Sequence, residues 1–192
     1  MNLAILGITG TLGAGKGTIV KHLERKGYRH FSVRQAIIEG LKSEGIENPL
    51  RPQMVEFANR MRLADGAYFA KALRNLVMAS GAKLAIIESI RSIDEVDWLE
   101  KNGIPLFSVD ADRDLRYLRI AERKDSTDHI SYEEFLNQEA REWENADPKE
   151  QNLKYCIEKT NPIFRFINNG TPKELWDQVD SVMVLANEAE RV

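Results

Sequence analysis

The stretch Gly10-Thr11-Leu12-Gly13-Ala14-Gly15-Lys16-Gly17-Thr18 decides the fold of this sequence. It follows residues 3–8, a short apolar run of the kind that forms a strand buried on both faces. It leads into residues 15–26, where Ile19, Val20 and Leu23 have the spacing of one helix face. The chain therefore begins with a strand, a glycine-rich loop and a helix.

The loop at residues 10–18, called the phosphate loop below, contains the residue types that bind a chain of phosphates. Its glycines allow backbone N–H groups to turn towards an anion, and the helix N-terminus adds about half a positive charge. Lys16 can reach the β- and γ-phosphates, and Thr18 offers a hydroxyl to the phosphate chain. This combination rarely arises by accident in a strand–loop–helix context, which disfavours a mere glycine turn. We therefore predict a nucleotide phosphate site formed by Gly10, Gly13, Ala14, Gly15, Lys16, Gly17 and Thr18.

Short apolar segments recur along the chain and alternate with stretches of helical spacing. Besides the first strand, the sequence predicts strands at residues 28–33, 83–87, 104–109 and 163–167. A loop is predicted at residues 40–52, because Gly40, Gly45 and Pro49 lie there. Alternating strands and helices indicate an α/β fold with three layers around a five-stranded, mostly parallel sheet.

Three residues close predicted strands and should meet at one edge of the sheet. They are Gly10, Glu88 and Asp110. In parallel sheets of this kind, ligands bind at the carboxyl ends of the strands. The sequence therefore predicts the functional site at this edge.

Length and composition exclude several classes of protein. The 192 residues, 43% hydrophobic and 30% charged, fit a single domain at 1–192. A net charge of −3 argues against a nucleic-acid binder, and no apolar run approaches the roughly 20 residues that span a bilayer. The single cysteine, Cys156, excludes an intramolecular disulfide and a zinc site of several thiolates, and favours a reducing, cytoplasmic location.

The G-x-G-K-G-T part of the phosphate loop resembles that of nucleoside monophosphate kinases, of which adenylate kinase is the best known. Further segments look similar to the family's deoxynucleotide and dephospho-CoA kinase-like branch. The resemblance implies a P-loop NTPase fold that uses ATP and Mg²⁺, with a helical acceptor-binding insertion near residues 34–80 and a lid near 112–150. Gly17 occupies the place where other P-loops carry the Ser or Thr that ligates Mg²⁺. The metal is therefore expected on phosphates, waters and a carboxylate.

The resemblance also implies a set of acceptor-binding residues, which comprises Ser32, Arg34, Arg51, Arg62 and Arg91. Guanidinium groups suit a phosphate because their donors form a planar fork. The alternatives are structural. Ser32 would cap the following helix, with Gln35 completing a capping box, and the arginines would be solvated charges.

The segment Glu88-Ser89-Ile90-Arg91 resembles the D-G-x-R sequence that closes the third strand in this branch. That resemblance implies that Glu88 contacts Mg²⁺ through water and that Arg91 bridges the acceptor phosphate and the transferring group. Together with Lys16 and Arg123, these residues form the predicted catalytic set. For Glu88 and for Arg91, a role in a structural ion pair is the alternative.

Three arginines follow the fourth predicted strand. Arg116, Arg119 and Arg123 share one face of a helix. They resemble the family's R-x-x-x-R lid, which implies that Arg119 stacks on adenine and Arg123 reaches the donor phosphates; a solvated helix face is the alternative. Asn169 lies in a segment that resembles the loop beside adenine, although it could equally cap a turn. Asp110 or Asp112 is expected to be the N-cap of the lid helix.

Other reactive residue types are assigned no chemistry. His22, His30 and His129 lie far apart in the sequence, without metal-ligand spacing or a partner nucleophile. Cys156 is expected to be a small buried residue.

The sequence therefore predicts an ATP-dependent phosphotransferase whose acceptor is a nucleoside or deoxynucleoside monophosphate. Within enzymes, the alternative is a dephospho-CoA kinase, in which Glu88 would serve as the base for a ribose hydroxyl. From another class comes a P-loop ATPase or nucleotide sensor that regulates a protein partner. The expected ligand is a small nucleotide rather than a nucleic acid or a membrane. The acceptor base, ribose against deoxyribose, and the oligomeric state stay open.

Overall fold

The computed structural model describes residues 4–122, 131–147 and 149–189, with the backbone alone for residues 51, 52 and 185–189. Its strands are β1 (Ala4–Gly10), β2 (Arg29–Ser32), β3 (Leu84–Glu88), β4 (Leu106–Asp110) and β5 (Arg165–Ile167). They form one sheet in the order β2-β3-β1-β4-β5, and every neighbouring pair is parallel. The predicted α/β fold with a five-stranded sheet is confirmed, and the strand ends differ from the predicted ones by one or two residues.

Helices connect the strands and follow the last one. They are α1 (Lys16–Arg25), α2 (Val33–Ser43), α3 (Arg51–Ala64), α4 (Tyr68–Ser80), α5 (Ile93–Lys101), α6 (Arg113–Ala121), α7 (Tyr132–Trp143), α8 (Leu153–Lys159) and α9 (Pro172–Ala189), with a 3₁₀ helix at Pro162–Phe164. Among these described helices, none is long and apolar enough to cross a membrane.

The central strand β1 brings the predicted edge together. It pairs with β3 on one side, where Ile8 lies opposite Glu88, and with β4 on the other, where Gly10 lies opposite Val109. Because all these strands are parallel, their carboxyl ends lie at the same edge. Gly10, Glu88 and Asp110 therefore close neighbouring strands, as the sequence predicts.

Hydrophobic cores on both sheet faces form the three layers. On one face, Ile19 of α1 and Leu175 of α9 pack with Ile86 of β3. On the other face, Phe69 of α4 packs with Ile87 of β3, because successive strand residues point to opposite faces. Each large side chain buried in this way stabilises the fold by about 1.5–3 kcal/mol.

Cys156 of α8 belongs to the second of these cores and is fully buried, as expected. Burial raises the pKa of its thiol, which therefore stays protonated and packs as a small apolar side chain. Helix α8 lies next to β1 and β4.

The predicted loop at residues 40–52 is wrong at both ends. Helix α2 continues to Ser43 and α3 begins at Arg51, so only residues 44–50 connect the two helices. Gly40 lies inside α2, where packing rather than a turn requires a residue without a side chain. A Cβ atom at this position would lie 2.3 Å from Cζ of Phe57, a buried residue of α3. The missing side chain therefore allows α2 and α3 to approach closely.

We expect Gly40→Ala to destabilise the protein, although alanine is normally about 1 kcal/mol better than glycine inside a helix. The added methyl group would overlap the Phe57 ring, and overpacking of this kind costs about 1–3 kcal/mol. Thermal unfolding should show a lower Tm for Gly40→Ala. The double variant Gly40→Ala/Phe57→Leu should recover part of the loss. A Tm above wild type for the single variant would show that Gly40 does not limit the approach of α2 and α3.

Candidate active site

The phosphate loop connects β1 to α1 at the carboxyl edge of the sheet. Gly10, Gly13 and Gly15 have positive φ angles, which favour glycine. At Gly13 a side chain is excluded by a neighbour as well, because a Cβ atom would lie 2.5 Å from the carbonyl oxygen of Arg116 in α6. The loop is thus shaped both by its own glycines and by the helix that follows β4.

Cationic side chains hold the first carbonyl groups of the phosphate loop. Nζ of Lys16 donates hydrogen bonds to the carbonyl oxygens of Gly10, at 2.7 Å, and Thr11, at 2.9 Å. Arg116 donates from Nη1 to the carbonyl oxygen of Leu12, at 3.3 Å. The ammonium group of Lys16 therefore lies across the mouth of its own loop, at the N-terminus of α1, where an anion is favoured.

Glu88 ends β3 and is an ionised carboxylate next to the phosphate loop. Burial by itself would raise its pKa, but the contact with His30, the positive charge of Lys16 and the Ser89 hydroxyl together hold the pKa below its ordinary value. Oε2 of Glu88 lies 3.4 Å from Nε2 of His30. The arrangement keeps one negative charge facing the lysine of the phosphate loop.

The backbone after Glu88 is strained. Ser89 has a φ of 77°, the only positive value at a residue other than glycine in the described chain. The backbone N–H groups of Ser89 and Ile90 both donate to the carbonyl oxygen of Ile8, at 3.2 and 3.3 Å. These two bonds hold the turn, and strain of this kind concentrates at functional sites.

His30 is a site residue that the sequence analysis did not identify. It lies on β2, which pairs with β3 so that Ser32 is opposite Glu88 and His30 is opposite Ile86. The sequence contains no sign of this proximity, because the two residues are far apart along the chain and strand order is a property of the sheet.

Three of the predicted acceptor residues line one cavity. It measures about 310 Å³, and its walls include the side chains of Arg34, Arg62, Ser89 and Arg91. Apolar residues of α2 and α3, such as Ile37 and Met54, form the rest of the wall. The cavity therefore combines an apolar side with guanidinium groups from three separate elements, as an anionic organic molecule would require.

Arg62 is not the solvated charge that the alternative interpretation describes. It is only 7% exposed, and its guanidinium lies 4.9 Å from the centre of the Phe69 ring. Its nearest acid is Glu95, at 3.8 Å from Nε, and Nε has no hydrogen-bond partner within the described part of the chain. Burial lowers the pKa of Arg62. By contrast, the neighbouring Arg60 is exposed and pairs with Glu44.

Arg91 is held from two sides. Its Nη1 lies 2.6 Å from Oε2 of Glu142 in α7 and donates to Oε1 of Gln151 at 3.0 Å. Its backbone N–H donates to the buried carboxylate of Glu95 at 2.7 Å. Arg91 therefore forms structural ion-pair contacts and also lines the cavity, so both interpretations of this residue have a basis in the structure.

Ser32 is the N-cap of α2, which supports the structural interpretation of this residue. Its hydroxyl oxygen accepts the backbone N–H of Gln35 at 3.1 Å. The predicted capping box is not formed, because the Gln35 side chain donates to Glu39 at 3.0 Å instead. Acceptor contact by Ser32 stays a prediction.

In α6, the buried arginine is Arg116. Its Nε donates to the carbonyl oxygen of Ala111 at 2.8 Å, and its other nitrogens contact Leu12 and Glu139. Arg119 is partly buried, and its Nη1 has no hydrogen-bond partner among the described residues. Arg123 and the side chain of Arg51 lie outside the described residues. The sequence shows that these arginines share one helix face. The direction in which that face points depends on the packing of Arg116 against Phe135 of α7.

The loop after β5 contacts the phosphate loop through Asn168, which the sequence analysis did not single out. The backbone N–H of Asn168 donates to Asp110, and its Nδ2 donates to the carbonyl oxygen of Ala14, both at 2.8 Å. Asn169 is exposed, and its Oδ1 accepts the backbone N–H of Asp112 at 2.8 Å. A contact of Asn169 with adenine stays a prediction.

The predicted N-cap of α6 is only partly right. Asp112 occupies the cap position, but its side chain forms no capping hydrogen bond. Asp110 instead accepts hydrogen bonds at Oδ1 from the Thr11 hydroxyl, at 2.5 Å, and from the backbone N–H of Ala111, at 2.8 Å. Asp110 thus fixes the start of the phosphate loop to the end of β4.

The site offers few ligands to a metal ion. In the described part of the chain, no group of three or more His, Cys, Asp or Glu side chains could hold one. Glu88 is ionised, and carboxylate oxygen is the ligand type that Mg²⁺ prefers. The residues therefore fit an Mg²⁺ ion that is held mainly by ligand phosphates and water, with Glu88 as the protein's contribution.

Comparison with known proteins gives matches in both sequence and structure. A family model described as an AAA domain matches residues 6–147. A UPF0200 protein of Pyrobaculum aerophilum is 31% identical over 140 residues, which cover 72% of this chain and 76% of that protein. A UPF0200 protein of Methanothermobacter thermautotrophicus is 30% identical over 145 residues, 74% of this chain and 73% of the other.

Among solved structures, a sugar kinase from a Janibacter species superposes with a TM-score of 0.54 at 14% identity, and covers 96% of both chains. The Thermus thermophilus protein TT1252 gives a TM-score of 0.56 at 20% identity, over 98% of both chains. At these identities the likeness shows the fold alone. That fold is the P-loop kinase-like fold expected from the phosphate loop.

Because folding lowers the pKa of Glu88, the free energy of unfolding should depend on pH through this residue. An acid whose pKa is lowered by folding stabilises the protein at pH values above its ordinary pKa of 4.5, and the effect is lost as the pH falls through the lowered pKa. We expect Glu88→Gln to be less stable than wild type near pH 7. The difference should shrink as the pH falls below 4.5 and through the lowered pKa, where Glu88 becomes protonated.

Urea denaturation at several pH values measures this difference directly. Glu47→Gln, at an exposed position of the loop between α2 and α3, is the matched control for removal of one carboxylate. A difference between wild type and Glu88→Gln that stays constant with pH would show that the shape of Glu88, rather than its charge, contributes to stability.

Proposed function

We propose that this chain, which belongs to the AAA domain family and to the UPF0200 proteins, is an ATP-dependent phosphotransferase with a nucleoside or deoxynucleoside monophosphate as acceptor. A P-loop kinase-like fold with a nucleotide phosphate loop is supported by the comparisons and by the geometry together.

One observation carries the choice of acceptor. Arg34, Arg62 and Arg91 reach a single cavity of about 310 Å³ from three different elements. Ser89, which lines the same cavity, directly follows Glu88, and Glu88 feels the charge of Lys16 in the phosphate loop. A cavity with several guanidinium groups next to a donor phosphate site suits an acceptor that presents its own phosphate.

In the proposed reaction, the donor phosphates bind to the phosphate loop and Lys16 neutralises charge that develops on them. Glu88 would be the protein contact of an Mg²⁺ ion, which when bound would further neutralise the phosphate oxygens. Arg62 and Arg91 hold the acceptor phosphate in line. Arg116 and Arg119 of α6 cover the donor side and help to exclude water that would hydrolyse ATP. Alignment and charge neutralisation account for the catalysis, since an ionised phosphate oxygen needs no base.

A second candidate is favoured by the contact between Glu88 and His30. A hydroxyl acceptor, such as the ribose of dephospho-CoA, must lose a proton as it attacks, and a carboxylate next to an imidazole could accept it. The lowered pKa of Glu88 makes it a weaker base, which is why we rank this candidate below a phosphate acceptor.

The proposal is tested by a coupled assay of ADP release. ATP and Mg²⁺ are supplied with a panel of nucleoside monophosphates, deoxynucleoside monophosphates and dephospho-CoA, and with no acceptor. We expect release that depends on one class of monophosphate. Release with dephospho-CoA alone would support the second candidate. ADP release that ignores every acceptor, or no release at all, would contradict both and favour an ATPase or a nucleotide sensor.

Two variants of α1 give the assay its control. Lys16→Ala should lower kcat by about 100-fold or more, because the developing charge loses its positive partner, while the fold is kept. Lys21→Ala removes the same charge from an exposed position of the same helix and should leave the rate unchanged. Normal turnover by a folded Lys16→Ala protein would refute the proposed mechanism.

The acceptor site makes a separate prediction. Arg62→Lys keeps the positive charge but loses the planar fork, so we expect KM for the acceptor to rise by about tenfold or more while KM for ATP stays the same. Arg60→Lys, on the exposed side of the same helix, is the matched control. An equal rise in the KM values for the acceptor and for ATP, or no rise in either, would place Arg62 outside the acceptor site. Thermal unfolding of each variant establishes that the fold is kept.

A further inference from the structure

Two carboxylates of α7 contact the arginines of the candidate site. Glu139 pairs with Arg116 and, at 2.7 Å from Oε2, with Nε of Arg113. Glu142 lies 2.6 Å from Nη1 of Arg91. The two acids, called the α7 carboxylates below, are three residues apart and therefore lie on the same side of the helix.

The contacts with Arg116 and Arg91 are largely shielded from solvent, whereas Arg113 is 59% exposed. The side chains of Glu139 and Arg116 are 13% and 6% exposed, and those of Glu142 and Arg91 are 20% and 21% exposed. Ion pairs with so little exposure are screened less than exposed pairs. They therefore compete effectively with a ligand for the same guanidinium groups.

The arginines concerned are also the ones that face phosphate positions. Arg116 donates to Leu12 of the phosphate loop, and Arg91 lines the acceptor cavity. Glu139 and Arg116 line a second cavity, of about 500 Å³, whose wall includes Thr11 at the start of the phosphate loop. Space for a ligand thus borders the ion pairs directly.

We propose that the α7 carboxylates occupy the anion positions that ligand phosphates take, so that α7 blocks its own site until a phosphate ligand displaces them. A guanidinium fork accepts a carboxylate or a phosphate with the same geometry. The two anions cannot share it, because like charges in a partly buried site repel. This inference rests on the proposed function only in that the natural ligands carry phosphates.

The opposite role would also use these contacts. If the α7 carboxylates merely positioned the arginines for a ligand, their removal would leave the guanidinium groups misaligned and would weaken phosphate binding. The two roles therefore predict effects of opposite sign, and a measurement of affinity separates them.

The test is titration calorimetry with inorganic tripolyphosphate, which needs no turnover. Glu139→Gln and Glu142→Gln keep the size of each side chain and remove its charge. We expect each to bind tripolyphosphate about tenfold more tightly than wild type, and the double variant more tightly still. Glu133→Gln, at an exposed position of the same helix, removes the same net charge and should bind as wild type does. Unchanged or weaker binding by both site variants would overturn the proposal, as would an equal gain in Glu133→Gln.

A second measurement uses wild-type protein and does not depend on whether the variants fold. Trp143 directly follows Glu142 and lines the same cavity as Glu139. Displacement of α7 should change its fluorescence when tripolyphosphate is added, and the change should be absent in Trp143→Phe. Binding of tripolyphosphate without any change at Trp143 would contradict displacement of α7.

These results are independent of the acceptor assay. Tighter binding by the variants without phosphorylation of any acceptor would support the role of the α7 carboxylates and refute the proposed function. Phosphorylation of a monophosphate by wild type, with no gain in affinity for tripolyphosphate in the variants, would support the proposed function and refute the role of the α7 carboxylates.

Discussion

Parallel hydrogen bonding of β1 to both β3 and β4 is the constraint on which the rest of the structure depends. It places the ends of three strands at one edge, and each end carries a part of the candidate site. The phosphate loop leaves β1, the carboxylate of Glu88 ends β3, and Asp110 ends β4. Asp110 then accepts a hydrogen bond from the Thr11 hydroxyl. The hydrogen bonds between the strands and this one side-chain hydrogen bond together fix the phosphate loop. The other elements of the site pack against this sheet or against the helices that cover it.

The second constraint is electrostatic. Burying a guanidinium group or a carboxylate costs free energy unless an opposite charge or a hydrogen bond compensates. Here Glu88 is compensated by His30 and Lys16, Arg91 by Glu142, and Arg116 by Glu139. Arg62 is the exception, since Glu95 lies 3.8 Å away and Nε has no hydrogen-bond partner in the described chain. A cation that is buried and loosely paired beside a cavity is suited to a ligand anion, because the ligand supplies the missing bonds.

The sequence predicted some parts of the site well, for a physical reason. Glycine, lysine and threonine at fixed spacing between a strand and a helix define a local structure, and local structure depends on neighbours along the chain. The meeting of Gly10, Glu88 and Asp110 followed from a rule about parallel sheets and required no side-chain detail. The errors arose where distant segments touch. Gly40 looked like a loop residue because its close contact with Phe57 of α3 is not visible in its neighbours. His30 and Asn168 were overlooked because strand order and a loop contact bring them to the site.

By itself, the sequence determined the phosphate loop, the α/β class and the edge of the sheet at which the candidate site lies, since these depend on local residue types and on alternating strands and helices. Only the tertiary structure decided which arginines face inward. Arg116 and Arg62 are buried while Arg60 is exposed, although all three lie on helices with similar sequence patterns. It also decided that α7 supplies acids to these arginines. Both outcomes depend on how each helix is rotated about its own axis, and packing between helices sets that rotation. Phe69 of α4 packs against Arg62 of α3, and Phe135 of α7 packs against Arg116 of α6.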